Sequence, residues 1–138
     1  MQVTNQSNPT EEQLASFLGA PEDGPFIMVN MLKFRQKAEY ADGSDADLPG
    51  WQAYARYGMA VQDRLKAVGA HQVSGGQVTG LMLGEVEELW DMVALVQYPS
   101  LEAMRTMIGS PEYQAITHHR EAGLEGQLNI KIKPFGAG

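Results

Sequence analysis

Four side chains in this sequence have the chemistry that a small-molecule site needs: the Asn30 amide, the Tyr54 phenol, the His119 imidazole and the Arg120 guanidinium. An imidazole can move a proton near pH 7, and an arginine or an amide can hold the negative charge that develops. Asn30 interrupts an otherwise apolar run, and a buried amide must find hydrogen-bond partners. These four residues are the predicted catalytic set, for acid/base chemistry on a small, partly apolar molecule.

Each of these residues also has a purely structural interpretation. Asn30 could bind a neighbouring helix or backbone, and Tyr54 could simply bury its ring. Arg120 could pair with one of the 17 acidic residues. His118 and His119 are neighbours on a predicted helix, about 100° apart, so we expect them to point in different directions. Asp91, beside Trp90, is a further candidate base, although a carboxylate at a strand end is usually solvated.

The same residues argue against a metal or a cofactor. The chain has no Cys, which excludes thiolate ligands and Cys nucleophiles. Adjacent histidines lack the i, i+4 spacing of a metal pair, and the acidic segment 36–50 lacks the register of a calcium loop. A haem site would need one apical His in a large apolar pocket. No phosphate-binding loop or G-x-S-x-G motif occurs. We therefore predict no metal, no haem and no other cofactor.

Composition limits the partners. The 138 residues carry a formal net charge of −7, and the basic residues do not cluster, so a nucleic-acid partner is not expected. Apolar runs fall far short of the ~20 residues that a membrane span needs. The polar N-terminus lacks a secretory pattern, which predicts a cytoplasmic protein.

The hydrophobic pattern predicts the elements that must position these residues. A tail and a short helix occupy residues 1–24, and a single domain occupies 25–138. The capping-box spacing of Thr10 and Gln13 starts the short helix. The predicted helices are 10–18, 51–68, 101–108 and about 111–122. The predicted strands are 26–34, 90–98 and 128–132, with an extended segment at 70–74 and 77–83 that a Gly75–Gly76 bulge or turn interrupts.

This order is βαββαβ, which predicts a ferredoxin-like α+β fold: a four-stranded antiparallel sheet with helices on one face. The strands at 26–34 and 90–98 are apolar on both faces, as central strands should be. The last strand alternates Leu128, Ile130 and Ile132 with polar residues, so one of its faces should meet water. Nothing is left to cover the second sheet face, and a second copy of the chain is the expected partner in a homodimer.

Five short segments together resemble the domain-of-unknown-function 1330 family, within the dimeric α+β barrel superfamily. They are FIMVNMLKF at 26–34, WD at 90–91, YPS at 98–100, SPEYQ at 110–114 and HREAGL at 119–124. The resemblance covers about residues 25–133. It implies a ferredoxin-like monomer that pairs through its sheets, and it implies no particular reaction. Because His119 and Arg120 lie in one of these segments, His119 is the preferred acid/base residue.

Three functions remain open from the sequence. The first is cofactor-free acid/base catalysis, as in the isomerases and monooxygenases of the superfamily. The second is a non-enzymatic homodimeric module that binds a metabolite or has a stress-related role. The third is a haem or metal protein. Fold analogy does not choose among them.

Overall fold

Four strands form one antiparallel sheet in the order β2-β3-β1-β4. They are β1 (Phe26–Phe34), β2 (His71–Gln77), β3 (Met92–Tyr98) and β4 (Leu124–Ile132). The computed structural model describes residues 3–136. The central pair β1–β3 and the flanking pairs β1–β4 and β2–β3 are all antiparallel, which confirms the predicted ferredoxin-like α+β fold.

Five helices in the described residues accompany the sheet, and side chains cap three of them. They are α1 (Glu11–Leu18), α2 (Gly50–Ala67), α3 (Leu101–Ile108), α4 (Pro111–Gln114) and α5 (Thr117–Gly123). Thr10 and Gln13 form the predicted capping box, and the Ser100 hydroxyl accepts from the Ala103 amide at 3.0 Å. No helix in the described part of the chain is long and apolar enough to cross a membrane.

The prediction of a single helix at 111–122 is wrong, because the helix is interrupted at Ala115 and Ile116, between α4 and α5. The Thr117 hydroxyl donates to the Gln114 carbonyl at 3.1 Å. The Ile116 amide donates to the Tyr113 carbonyl at 3.0 Å, which is a tight i−3 turn. Threonine offers the backbone this local alternative to helix continuation. The break reorients the histidines relative to Tyr113.

The predicted extended segment is also corrected. β2 runs without interruption through the glycine pair, its register irregularity lies between Gln72 and Ser74, and residues 78–91 form a loop. A Cβ on Gly75 would lie 3.1 Å from the Val93 carbonyl oxygen, so glycine suits a close approach inside the ladder. Every residue of β2 is exposed. The helices therefore leave this edge of the sheet uncovered.

The core lies between the helices and one face of the sheet. Phe26 and Leu32 of β1 are fully buried, as is Leu101 of α3. The ring of Tyr98 stacks on Phe26 at 5.4 Å. Trp51 at the start of α2 is 55% exposed, because the buried side of the first turn is formed by Gly50 and Ala53.

The opposite sheet face is apolar and has no helix over it among the described residues. Ile27, Val29 and Met31 of β1 lie there, opposite Ile132, Ile130 and Leu128 of β4, with Val93 and Leu95 of β3 alongside. We call these eight residues the outer face. Ile130 and Ile132 are 45% and 41% exposed. The polar row of β4 lies on the helix side instead, where the Lys131 ammonium sits 5.0 Å from the Phe26 ring centroid.

Residues 3–8 of the predicted N-terminal tail, which we call the N-terminal strap, are attached to the sheet; residues 1–2 lie outside the described part of the chain. The Gln6 carbonyl accepts from the Gln127 amide at the free edge of β4, at 2.8 Å. Asn8 Oδ1 accepts from Arg120 at 2.9 Å. Beyond the strap, Phe17 of α1 packs edge-on against Phe26 at 6.4 Å. The N-terminal segment is therefore part of the folded unit.

Candidate functional site

A cavity of about 90 Å³ lies between α2 and the sheet. Two of the four predicted residues, Asn30 and Tyr54, line it. The remaining lining comes from one side of α2 and from the helix-facing side of β2 and β3: Tyr57, Gly58, Val61, Gln62, Leu65, Gln72, Met92, Ala94, Val96 and Tyr98. The cavity thus joins an apolar floor to a few polar groups, the usual composition of a small-molecule site.

Asn30 faces this cavity side, away from the outer face, and its amide is already engaged. Its Nδ2 donates to the carbonyls of Ala94 at 3.1 Å and Met28 at 3.3 Å. Its Oδ1 accepts from Gln127 Nε2 at 2.9 Å. An amide nitrogen has two hydrogens, so both are used. Asn30 can offer a ligand only its remaining acceptor lone pair, and the predicted role of holding negative charge does not fit this geometry.

Arg120 reaches Asn30 through Gln127. Arg120 Nη2 donates to Gln127 Oε1 at 2.5 Å, and Nη1 donates to Asn8. No carboxylate lies within 4.0 Å of Arg120 in residues 3–136, so the ion pair considered from the sequence is absent there. Gln127 was missed because it precedes the strand predicted at 128–132. The resulting chain, Arg120–Gln127–Asn30, joins α5, β4 and β1.

Three phenols surround the cavity, and burial keeps them neutral. Burial raises the pKa of Tyr54 to about 12, against a smaller lowering by the Arg120 charge. Burial likewise raises the pKa values of Tyr57 and Tyr98 well above the ordinary value. The Tyr57 hydroxyl bonds that of Tyr113 at 3.0 Å. The tyrosine hydroxyls that form hydrogen bonds within residues 3–136 are those of Tyr40, Tyr57 and Tyr113, so the Tyr54 and Tyr98 hydroxyls can both donate to a ligand.

His119 does not reach this cavity. Its Nδ1 lies 2.7 Å from the Tyr40 hydroxyl, which accepts from Arg56 at 3.1 Å. Since Arg56 can only donate, the Tyr40 hydroxyl keeps its hydrogen for Nδ1 when the His119 proton is on Nε2, and it accepts from Nδ1 in the other tautomer. Arg56 also pairs with Asp45 at 2.9 Å. Sequence patterns did not single out Tyr40, because it lies in an irregular loop without periodicity.

The two histidines do not diverge as expected. The ring centroids of His118 and His119 are 3.9 Å apart, with an interplanar angle of 38°. Burial, then the charges of His118 and Arg56, lower the pKa of His119 below its ordinary 6.5. We call Tyr40, Arg56, Asp45, His118 and His119 the Tyr40 cluster. It ties the acidic loop to α2 and α5.

Asp91 has a structural role at the end of β3. Its carboxylate accepts from the Phe34 amide at 2.8 Å and lies 3.5 Å from the Lys33 ammonium. It borders an open depression of about 690 Å³ whose rim carries both signs of charge. Within the described residues, no three His, Asp or Glu side chains converge as metal ligands. In the acidic loop, Asp45 and Asp47 instead pair with Arg56 and Lys37.

A family model matches residues 45–131, and its description is domain of unknown function (DUF1330). The crystal structure of RPA0582, a protein of unknown function from Rhodopseudomonas palustris, superposes with a TM-score of 0.87. The two chains are 33% identical, over 97% of this chain and all of that one. The methylated form of RPA0582 gives a TM-score of 0.89 and 34% identity over 99% of each chain.

A more distant likeness shows the fold alone. A dabb family protein with a ferredoxin-like fold from Mesorhizobium loti has a TM-score of 0.51 and 14% identity. The match covers 83% of this chain and all of that one. No curated protein matches the sequence. The relatives therefore support the architecture, and their descriptions name no chemistry for the cavity.

Proposed function

The chain belongs to the DUF1330 family, whose description states no activity, and from its cavity we propose that it binds a small, partly apolar molecule bearing a hydrogen-bond-accepting oxygen. One observation carries the proposal: Tyr54 and Tyr98 line the same cavity, and neither hydroxyl has a hydrogen-bond partner within residues 3–136. A neutral phenol donates one hydrogen, and donating it to a ligand oxygen satisfies a largely buried polar group.

The volume limits the ligand. A water molecule takes about 30 Å³ of liquid, so about 90 Å³ holds three waters or roughly five to six non-hydrogen atoms. Gln62 and Gln72 are exposed residues of the lining, and their side chains form its polar mouth. A longer ligand would place its excess atoms between these two amides. A short ketone, ester or amide fits this description.

Binding without catalysis is the function that the lining supports best. Among residues 3–136, no His, Asp, Glu or Lys lines the cavity, so none of these lining side chains acts as a base near pH 7. The raised pKa values of its phenols leave them as hydrogen-bond donors. This supports the non-enzymatic reading over the acid/base reading, and His119 is set apart from the cavity by its bond to Tyr40.

Catalysis of the isomerase or monooxygenase type is the second candidate, because the charge of Arg120 favours the ionised form of Tyr54. That field would equally stabilise an oxyanion held by the Tyr54 hydroxyl. Tyr54 would then be the catalytic residue, and Arg120, held by Gln127, would act on it through its charge. The base would have to come from the substrate or from solvent.

The partner in this proposal is a second copy of the chain, joined through the outer face. Eight apolar side chains on an uncovered sheet face form a patch that soluble monomers rarely expose. The cavity lies on the other side of the sheet, so pairing leaves its mouth free. A cofactor has no part in this function.

Cyclopentanone and methylcyclopentane, each of six non-hydrogen atoms, test the proposal by NMR titration. The ketone should bind, and Tyr54→Phe or Tyr98→Phe should weaken it roughly two- to tenfold, the value of one hydrogen bond. Tyr57→Phe is the matched control, because its hydroxyl already bonds Tyr113. The hydrocarbon should be indifferent to all three changes. Ketone binding that is undetectable, or equal in all variants, would contradict the proposal.

A further inference from the structure

The two terminal nitrogens of the Arg120 guanidinium both donate to neutral oxygens. Nη1 donates to Asn8 Oδ1 at 2.9 Å and Nη2 donates to Gln127 Oε1 at 2.5 Å. A guanidinium normally presents this fork to the two oxygens of one carboxylate. The chain does not lack acids for the purpose, because it has 17 of them, and Arg35 and Arg56 each hold one. Here two amide oxygens stand in for the carboxylate.

One of those two amides belongs to a segment that can leave. Asn8 is exposed, and the strap is attached to the body by polar contacts: the Gln6 carbonyl to the Gln127 amide, and Asn8 to Arg120. Its apolar residue, Val3, is 54% exposed. Releasing the strap therefore costs hydrogen bonds, which water can replace, and very little apolar burial. Gln127, by contrast, is fixed between Arg120 and Asn30.

We propose that Arg120 and Gln127 form a binding site for a small carboxylate, which the Asn8 side chain of the N-terminal strap occupies in the free protein. The carboxylate replaces Asn8 Oδ1 at Nη1 and adds an ion pair with the guanidinium, which the neutral amide cannot form. This site lies on the β4 side of Asn30, apart from the cavity, so it stands or falls independently of the ligand proposed there.

Gly126 of β4 lies directly under the strap, against the Asn5 side chain. A Cβ on this residue would overlap the Asn5 side-chain amide, so glycine lets that amide lie directly against β4. A larger residue would require the Asn5 side chain to rotate away. Binding of a carboxylate at Arg120 and departure of the strap from the Gln127 amide are expected to occur together.

Propionate is the probe, with propionamide as the neutral counterpart, each titrated into the full chain at pH 7 and followed by NMR. Asn8→Ala should bind propionate about tenfold more tightly than the unmodified protein, since a hydrogen bond to a charged group no longer competes. Asn8→Asp supplies an internal carboxylate and should abolish binding. Arg120→Gln should also abolish it, with Arg64→Gln on α2 as the matched control.

Hydrogen exchange at the Gln127 amide provides a second readout that does not depend on a variant folding well. Propionate should accelerate its exchange in the unmodified protein, because the strap that accepts this hydrogen bond leaves. Propionamide should not. Equal affinity in Asn8→Ala, Asn8→Asp and the unmodified protein would overturn the proposal, as would a Gln127 amide whose exchange propionate leaves unchanged.

Discussion

Gly123 at the end of α5 lies against Gly50 at the start of α2, so closely that a Cβ on Gly123 would be 2.4 Å from the Gly50 carbonyl oxygen. The same Cβ would be 2.7 Å from the Tyr54 amide nitrogen. Gly50 in turn meets the backbone of Arg35, whose carbonyl oxygen would be 2.1 Å from a Cβ there. These close backbone contacts hold α2, with Tyr54, over β1, and they hold α5 beside α2. The distance from Arg120 on α5 to the cavity therefore depends on Gly50 and Gly123.

Gly123→Ala should destabilise the fold by about 1–3 kcal/mol, because backbone atoms, which cannot rotate away, must move to admit the methyl group. Gly58→Ala in the middle of α2 is the opposite-sign control. A Cβ there has nothing within 4 Å, and alanine should stabilise the helix by about 0.5–1 kcal/mol. Urea unfolding measures both. Similar urea midpoints for the two variants would show that α2 and α5 can move apart to admit the methyl group on Gly123 without loss of stability.

The Tyr40 cluster should make stability depend on pH near neutrality. The pKa of His119 is below its ordinary 6.5, so the folded protein takes up a proton less readily than the unfolded chain does. The stabilising contribution is therefore complete above about pH 6.5 and is lost as the pH falls toward the lowered pKa. Melting temperatures at pH 8 and pH 5.5 should differ less in His119→Gln than in the unmodified protein.

The control for that experiment is His71→Gln, since His71 lies exposed on β2. It should leave the pH dependence unchanged. A titration of the His119 ring signals by NMR gives the pKa directly. A midpoint above 6.5 would mean that Asp45 or Asp42, the carboxylates of the nearby loop, outweigh burial, Arg56 and His118.

Glu22 should stabilise α3 from outside the helix. Its carboxylate accepts from the amides of Glu102 at 3.0 Å and Leu101 at 3.1 Å, and these backbone hydrogen bonds lower its pKa below the ordinary 4.5. The contribution is present above about pH 4.5 and is lost as the pH falls through the lowered value. Glu22→Gln should lower the melting temperature at pH 7 and reduce the difference between pH 7 and pH 3.

Glu87→Gln, in the exposed loop before β3, removes the same charge without a cap and serves as the comparison. It should leave the melting temperature nearly unchanged at either pH. If both glutamine variants behave alike, net charge explains the effect, and the helix cap does not.

The outer face should hold two copies together. Ile130→Glu places a charge in the middle of the apolar patch, and burying an unpaired charge costs several kcal/mol. Sedimentation should change from about 30 kDa, two chains of 15.1 kDa, to one chain. Met59 on α2 is 80% exposed, and Met59→Glu should leave the sedimentation mass unchanged. An unmodified protein that sediments as a single chain at micromolar concentration would contradict the homodimer.

Local signals predicted the fold well where one residue decides one hydrogen bond. Thr10 begins its helix as expected and Ser100 caps the helix predicted at 101–108, because a side-chain oxygen beside free amides acts within a single turn. β1 has its predicted bounds, since both of its faces are apolar. β2 was less predictable, because its seven exposed residues carry no alternation, and only pairing with β3 makes them a strand.

The site was predicted in part, for a reason visible in its hydrogen bonds. Asn30 and Tyr54 share the cavity because strand and helix periodicity fixed which way each points. The predicted position of His119 at the cavity was wrong, because the interruption before Thr117 rotates α5 relative to the single helix that the hydrophobic pattern predicted. Gln127 and Asn8 contact Arg120 from β4 and the N-terminal strap, 7 and 112 residues away. Such contacts depend on tertiary position and leave no spacing to detect.

The strap also determines how the sheet can grow. At β4, the Gln127 amide is occupied by the Gln6 carbonyl, so an incoming strand would first have to displace part of the protein's own chain. At β2 there is no such competitor among the described residues, and its seven residues include no Lys, Asp or Glu to repel one. Further strands can therefore add at one edge only. At high concentration, edge-to-edge pairing of two copies through β2 is the expected failure mode.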